Sequence, residues 1–313
     1  MSRVPELEHQ LIAAASTRAV RRPRELLLTR VVLPAGTAVA AAVIAAVLLG
    51  GGASSVDSAA AAALRDAAAV ARSQPATPLP REGEYLYVRV TSRPSLALAA
   101  SPPFQRGIDS EEDFGFSVVV PSVQEVWVGE DGGRVRNANG QPAFVTDRDR
   151  RAWIAAGRPP LPGNEVFEDD FDTPLVRLDL PTDPDALYER LEREVAERGS
   201  DHGPAYMFTE LVADWLRAWG ATPAQRAALF EVAARIPGVE ALGPRTDPAG
   251  REGLGFAMRD EDDNRVTLIV DPRTSQLLGE ISVTLPGSPI PAGTVVESST
   301  FSAPKIVDAV GER

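Results

Sequence analysis

The 313-residue chain has no cysteine, two histidines and one lysine. Without thiols it can form no disulfide, no thiolate metal site and no thiol-linked lipid anchor. Any domain outside the cytoplasm must then hold together by its core alone. The histidines are His9 and His202, so a Ser-His-Asp arrangement beyond the N-terminal tail has one imidazole to draw on. Besides Lys305, the other 31 basic residues (32 minus one) are arginine. The chain has no GxGxxG, no HExxH and no GxSxG. The residues thus select no catalytic site, no cofactor site and no metal site, and a non-enzyme is expected.

Charge is unevenly divided. Before residue 31, Arg3, Arg18, Arg21, Arg22, Arg24 and Arg30 face Glu6, Glu8 and Glu25, a net of +3; the whole chain is −12, so the rest carries −15. An acidic domain of this kind does not coat nucleic acid by its bulk field, so no nucleic-acid partner is expected.

No charged residue occurs from Val31 to Val56, and Val31 to Leu49 is rich in alanine, valine and leucine. As a helix that stretch spans roughly 28 Å at ~1.5 Å per residue, about the hydrocarbon thickness of a bilayer. Arg18, Arg21, Arg22, Arg24 and Arg30 stand directly before it, and Gly50 to Asp57 holds no basic residue. The positive-inside rule places the N-terminus in the cytoplasm and the rest at the cell membrane's outer side. The alternative is a cleaved signal peptide, with Ala53, Ser54 and Ser55 as its small-residue site. The expected organisation is a basic cytoplasmic tail (1–30), a transmembrane helix (31–50), a juxtamembrane helix and proline linker (51–82), and an extracytoplasmic α+β domain (83–313). The fold itself starts near Asp57.

The pattern predicts a capped helix over Asp57 to Ser73. Glu84 to Ser92 alternates, with Leu86, Val88 and Val90 opposite Tyr85, Tyr87 and Arg89, as a half-buried strand does. Arg93 to Phe116 reads as an insertion loop and Ser117 to Val128 as one strand. Glu130 to Gly133 is a hairpin turn into Arg134 to Asn137. A short helix covers Thr146 to Ala156, and Arg158 to Asp172 reads as irregular. Three helices follow, from Asp183-Pro184 to Arg198, Pro204 to Trp219, and Thr222-Pro223 to Ile236. Five strands close the chain: Val239 to Pro244, Gly253 to Arg259, Arg265 to Asp271, Gln276 to Thr284 and Thr294 to Phe301. Consecutive hairpins imply an antiparallel sheet, so the class is α+β: a curved antiparallel sheet with helices packed on one face, preceded by one transmembrane helix.

His202, beside Asp201, falls in a loop between helices and reads as a solvated side chain. Asp260 to Asp263 places four acids in a turn without the EF-hand spacing, again a solvated tip. Glu165 to Asp172 alternates acids with Phe167 and Phe171, as a solvated loop anchored by two aromatics or a docking segment for a basic partner. Tyr206, Phe208, Trp215 and Trp219 cluster on the second helix. They read either as an apolar ligand groove or as a stripe buried on the sheet.

Several segments together resemble a family of uncharacterised actinobacterial membrane-anchored proteins, often encoded beside extracytoplasmic-function sigma factors. They are EYLYVRV (Glu84 to Val90), EVWVGEDGG (Glu125 to Gly133), LPTDPDALYERL (Leu180 to Leu191), LFEVAARIPGVEALG (Leu229 to Gly243), VDPRTSQLLGE (Val270 to Glu280) and PAGTVVESSTF (Pro291 to Phe301). The resemblance implies a topology and a link to envelope signalling; it transfers no functional residue. The outer domain is also loosely similar to lipoprotein-carrier folds. The expected function is a sensor or interaction protein with a protein partner. The alternative is a tethered carrier of an apolar ligand or lipid; a remote one is a hydrolase using His202. The sequence sets no oligomeric state.

Overall fold

A computed structural model describes residues 56–99, 114–198, 203–288 and 290–313. The expected tail (1–30) and span (31–50), with their arginines, lie outside the described residues, as does His202. Among the described residues, no helix is long and apolar enough to cross a membrane.

In chain order the first elements are α1 (Ser58–Ser73), β1 (Tyr85–Ser92), β2 (Ser95–Ala99), β3 (Phe114–Val119), β4 (Ser122–Val128) and β5 (Gly133–Asn139). Then come β6 (Ala143–Phe144), α2 (Asp147–Ala155), β7 (Val166–Phe171) and α3 (Pro184–Arg198). Next is α4, built from Pro204–Tyr206, a π-helical turn Met207–Val212 and Ala213–Arg217. The chain ends with α5 (Pro223–Ala233), β8 (Glu240–Thr246), β9 (Glu252–Arg259), β10 (Asn264–Val270), β11 (Leu277–Thr284), β12 (Val295–Phe301) and β13 (Lys305–Val307).

The main sheet runs β7-β5-β4-β1-β12-β11-β10-β9-β8, with β13 also paired to β1. Among the described residues all its strand pairings are antiparallel. A small second sheet has the order β2-β3-β6. The arrangement is a mixed, mostly antiparallel one, and α1, α3, α4 and α5 pack on one face of the C-terminal half of the main sheet.

Local chemistry sets many boundaries. The Asp57 carboxylate accepts from the Ala59 amide at 2.8 Å and caps α1. Thr146 and Asp149 form a capping box on α2, and Thr222 and Gln225 form another on α5 behind Pro223. The EDGG turn needs its glycine: Gly132 has φ +120°, and a Cβ there would lie 2.1 Å from the Phe171 carbonyl oxygen.

The main core lies between these helices and the sheet. Leu64, Phe208, Leu229, Phe230, Phe256 and Leu268 are fully buried there. α1 packs on α5, and alanines of both helices, among them Ala60, Ala61, Ala68, Ala71, Ala227 and Ala228, are buried in this core. The juxtamembrane helix of the sequence reading is therefore part of the folded core. A second cluster, Leu86, Val88, Val126 and Val128, lies on the same face of the N-terminal half and is covered by Phe171, Leu175 and Trp219. The extended segment 172–182 links the two cores. Gln225 holds it by donating from Nε2 to the carbonyls of Leu178 (2.7 Å) and Leu180 (2.9 Å).

Three readings of the sequence change. The strand expected over Ser117 to Val128 is two strands, β3 and β4, in different sheets; Pro121, which cannot donate to a ladder, sits at the break. The insertion loop carries β2 and the start of β3, while 100–113 lies outside the described residues. The irregular segment Arg158 to Asp172 contains β7, at the sheet's edge.

Candidate interaction surfaces

Opposed residues in the ladders share a face, so the helix face can be followed across β12 and β1. Between the two apolar cores it turns polar: Ser92, Gln124, Glu280, Ser282 and Ser299 are all buried there. From α4, Arg217 reaches into this stripe and pairs with Glu280 and with Asp214. Burial works against the Arg217 charge, yet Glu280 and Asp214 outweigh it and hold the guanidinium above its ordinary range.

Beside this node an open cleft holds Glu280, Ser282 and Glu297 on one side and the turn Asp260 to Asp262 on another. The π-helical turn and the residue before it supply Tyr206, Thr209 and Glu210. Such turns recur at functional sites. The acids of the hairpin tip are engaged in the turn. Asp260 accepts from the amides of Asp262 (2.9 Å) and Asn264 (2.8 Å), and burial pushes its carboxyl above the usual carboxylate range. Asp263 pairs with Arg259 at 2.6 Å. Among the described residues no group of three or more histidines and acids is arranged to hold a metal ion.

The four aromatics of the sequence-derived groove go to two places. Tyr206, Phe208 and Trp215 are buried in the main core, and Tyr206 also borders the acidic cleft. Trp219 covers the second core and borders another cleft. They do not share one wall.

On the opposite face, Glu125 is buried under the C-terminal residues. Its Oε1 accepts from the Tyr87 hydroxyl (2.9 Å) and Arg313 Nε (2.6 Å); Oε2 accepts from Arg136 Nη1 (3.0 Å) and Arg313 Nη2 (3.0 Å). Four donors occupy the acceptor capacity of this carboxylate, leaving none for a substrate proton. Trp127 Nε1 donates to the Glu312 carbonyl at 2.6 Å beside it. The cluster is thus a clasp for residues 307–313. Sequence reading missed it because its members lie far apart in the chain.

The edge strand β7 is solvent-exposed along its length, apart from half-buried Phe171. The Asn139 amide donates to the Glu165 carbonyl at 2.8 Å, which fixes the ladder's phase. Phe167 and Asp169 therefore turn their backbone groups to β5, while Val166, Glu168 and Asp170 turn theirs outward. Val166 is 62% exposed and Phe167 56%. Asp170 pairs with Arg134 (2.6 Å) and Glu168 with Arg136 (3.1 Å) across the β5 ladder. Of the two aromatics expected to anchor this segment, Phe171 does and Phe167 does not.

No family model matches the chain, and no curated protein matches it. The solved structures that match include two with a distant likeness. One is the complex structure of Pseudomonas aeruginosa MucA/MucB, at 12% identity and a TM-score of 0.25, covering 79% of this chain and 57% of that one. The other is MucB in complex with MucA(peri), at 13% identity and a TM-score of 0.27, covering 81% of this chain and 57% of that one. This chain thus spans less than two thirds of those it matches. At these scores the likeness carries no argument about function.

The clasp makes a pH-dependent contribution. Burial alone would raise the Glu125 pKa, but hydrogen bonds from Arg313, Tyr87 and Arg136 outweigh it and hold the carboxyl below its ordinary range. A depressed folded pKa stabilises above the unfolded value of about 4.3 and is lost as pH falls through the folded value. The urea midpoint of Glu125→Gln is expected to lie well below that of the parent chain at pH 7. The gap is expected to narrow between about pH 5 and pH 3. A gap independent of pH would remove the clasp's ionic role.

Proposed function

We propose that this chain is a membrane-anchored, extracytoplasmic, non-catalytic interaction protein, and that the open edge of β7 receives an extended basic segment of a partner protein. The observation that carries this reading is a sheet edge with outward backbone groups and two exposed apolar side chains, Val166 and Phe167. Such an edge is a template for strand addition, in which main-chain hydrogen bonds give affinity and alternate side chains give specificity. Charge selects the occupant. Glu165, Asp169 and Asp172 add negative charge around the paired Glu168 and Asp170. A second copy of this acidic strand is repelled, and a strand carrying arginine or lysine is drawn in.

The main core is filled by side chains such as Phe208, Phe230 and Phe256, which favours surface recognition over acyl carriage. In this reading Val31 to Leu49 is the anchor, and Arg18, Arg21, Arg22, Arg24 and Arg30 keep the tail inside. The resemblance to a sigma-factor-associated family supplies the signalling context.

A photo-crosslinking residue at position 167 of the full chain, in its native membrane, is expected to trap a protein partner. The same residue at position 154, another exposed apolar site, serves as the control. Val166→Pro removes an outward amide and leaves the β5–β7 hydrogen bonds in place. It is expected to cut the adduct at least about tenfold, a loss of roughly 1.4 kcal/mol. An adduct unchanged by the proline would contradict strand addition.

The anchoring is tested separately. A reporter enzyme fused after Arg313 is expected to be active only outside the cytoplasm, and activity confined to the cytosol would overturn the topology.

A further inference from the structure

A second, shallow cleft opens on the other flank of α4. Its apolar walls are Leu216, Trp219, Leu277 and Phe301; among the described residues its charged ones are Arg217 and Arg226, and no carboxylate lines it. That composition is unusual in a chain whose residues after position 30 carry −15. The two arginines differ in kind. Arg217 is paired with Asp214 and Glu280 and lies 6.0 Å over the Phe301 ring. Arg226 has no ion pair, and its side chain donates no hydrogen bond among the described residues; burial alone pushes it below its ordinary range.

A second guanidinium nearby is also incompletely satisfied. Arg177 Nη2 donates to the carbonyl of Thr77, a residue of the cleft wall, at 2.6 Å, while its Nη1 is buried without a partner. Arg226 is half-buried, so its charge is held partly out of water without a counter-charge, which an anionic ligand would supply. A planar guanidinium matches a carboxylate with two parallel hydrogen bonds. The apolar walls would take the body that carries it.

We propose that this cleft is a binding site for a carboxylate borne on a small apolar body, with Arg226 holding the charge and Trp219, Leu277 and Phe301 holding the body. It is separate from the β7 edge and stands independently of that reading.

The test is calorimetric titration of the full chain in lipid nanodiscs, with benzoate, benzamide and inorganic phosphate as probes. Benzoate is expected to bind saturably at one site. Benzamide, which keeps the ring but not the charge, and phosphate, which keeps the charge but not the ring, are expected to bind at least about tenfold more weakly. Arg226→Gln is expected to weaken benzoate at least about tenfold and Arg226→Lys to restore part of it. Because the guanidinium is unpaired, Arg226→Gln is also expected to leave Tm unchanged or raise it. Equal binding of benzoate and benzamide, or full affinity in Arg226→Gln, would overturn the site. A clear drop in Tm for Arg226→Gln would overturn it too, by making the side chain structural.

The same chemistry is presented by a free acid and by the last residue of a peptide. A tripeptide ending in phenylalanine, with its terminus free or amidated, separates them. Tighter binding of the free-terminus peptide than of benzoate assigns a chain end; the reverse assigns a small acid.

Discussion

The first strand of the main sheet is held on one flank by the last two strands of the chain. Val90 to Ser92 pair with Ser299 to Phe301, and Tyr85 to Tyr87 pair with Lys305 to Val307. Between them Ser302 bridges the step: its amide donates to the Arg89 carbonyl, and its hydroxyl accepts from the Arg89 amide, each at 2.9 Å. This pairing closes more than two hundred residues of chain, so its ordering cost must be recovered by everything it brings together. It makes one sheet of two meanders, with the helices on one half and the open β7 edge at the far side of the other.

Arginine ties the seam in place. Arg251 donates to the carbonyls of Phe301 (2.9 Å) and Leu278 (2.6 Å) while its Nε holds Asp247 (2.7 Å). Arg217 joins α4 to β11 through Glu280, and Arg136 and Arg313 close over Glu125. With a single lysine, the chain relies on the planar, multiply donating guanidinium for buried carboxylates, a task to which an ammonium is less suited. Arg226, set in a cleft without such a partner, stands out against this pattern.

The local code was legible where it was local. Alternation in EYLYVRVTS placed β1 within a residue, and three helix starts expected at Asp57 or Ser58, Thr146 or Asp147, and Thr222-Pro223 lie where Asp57, Thr146 and Thr222 cap them. The five C-terminal strands follow from their hairpin turns. What failed were features decided by distant chain. Ser117 to Val128 read as one strand because its valines run through Pro121, and only pairing with β2 on one side and β1 on the other divides it. The segment VFEDDF read as a loop because acids are poor strand formers; Arg134 and Arg136 on β5 make the ladder favourable. Lys305–Val307 is too short to signal itself. Of Tyr206, Phe208, Trp215 and Trp219, which read as one face, the first three do enter one core, but α4 ends before Trp219, which turns to the second core.

The seam between the first and last strands is tested most directly by native-state hydrogen exchange. The amides of Leu86, Val88 and Val90 in β1 are compared with those of Phe256 and Leu268 in β9 and β10. If the seam joins both halves into one cooperative unit, the two groups open with the same free energy and the same denaturant dependence. Separate free energies, with the N-terminal group exchanging while the C-terminal group stays protected, would show two independent bodies and contradict a continuous sheet.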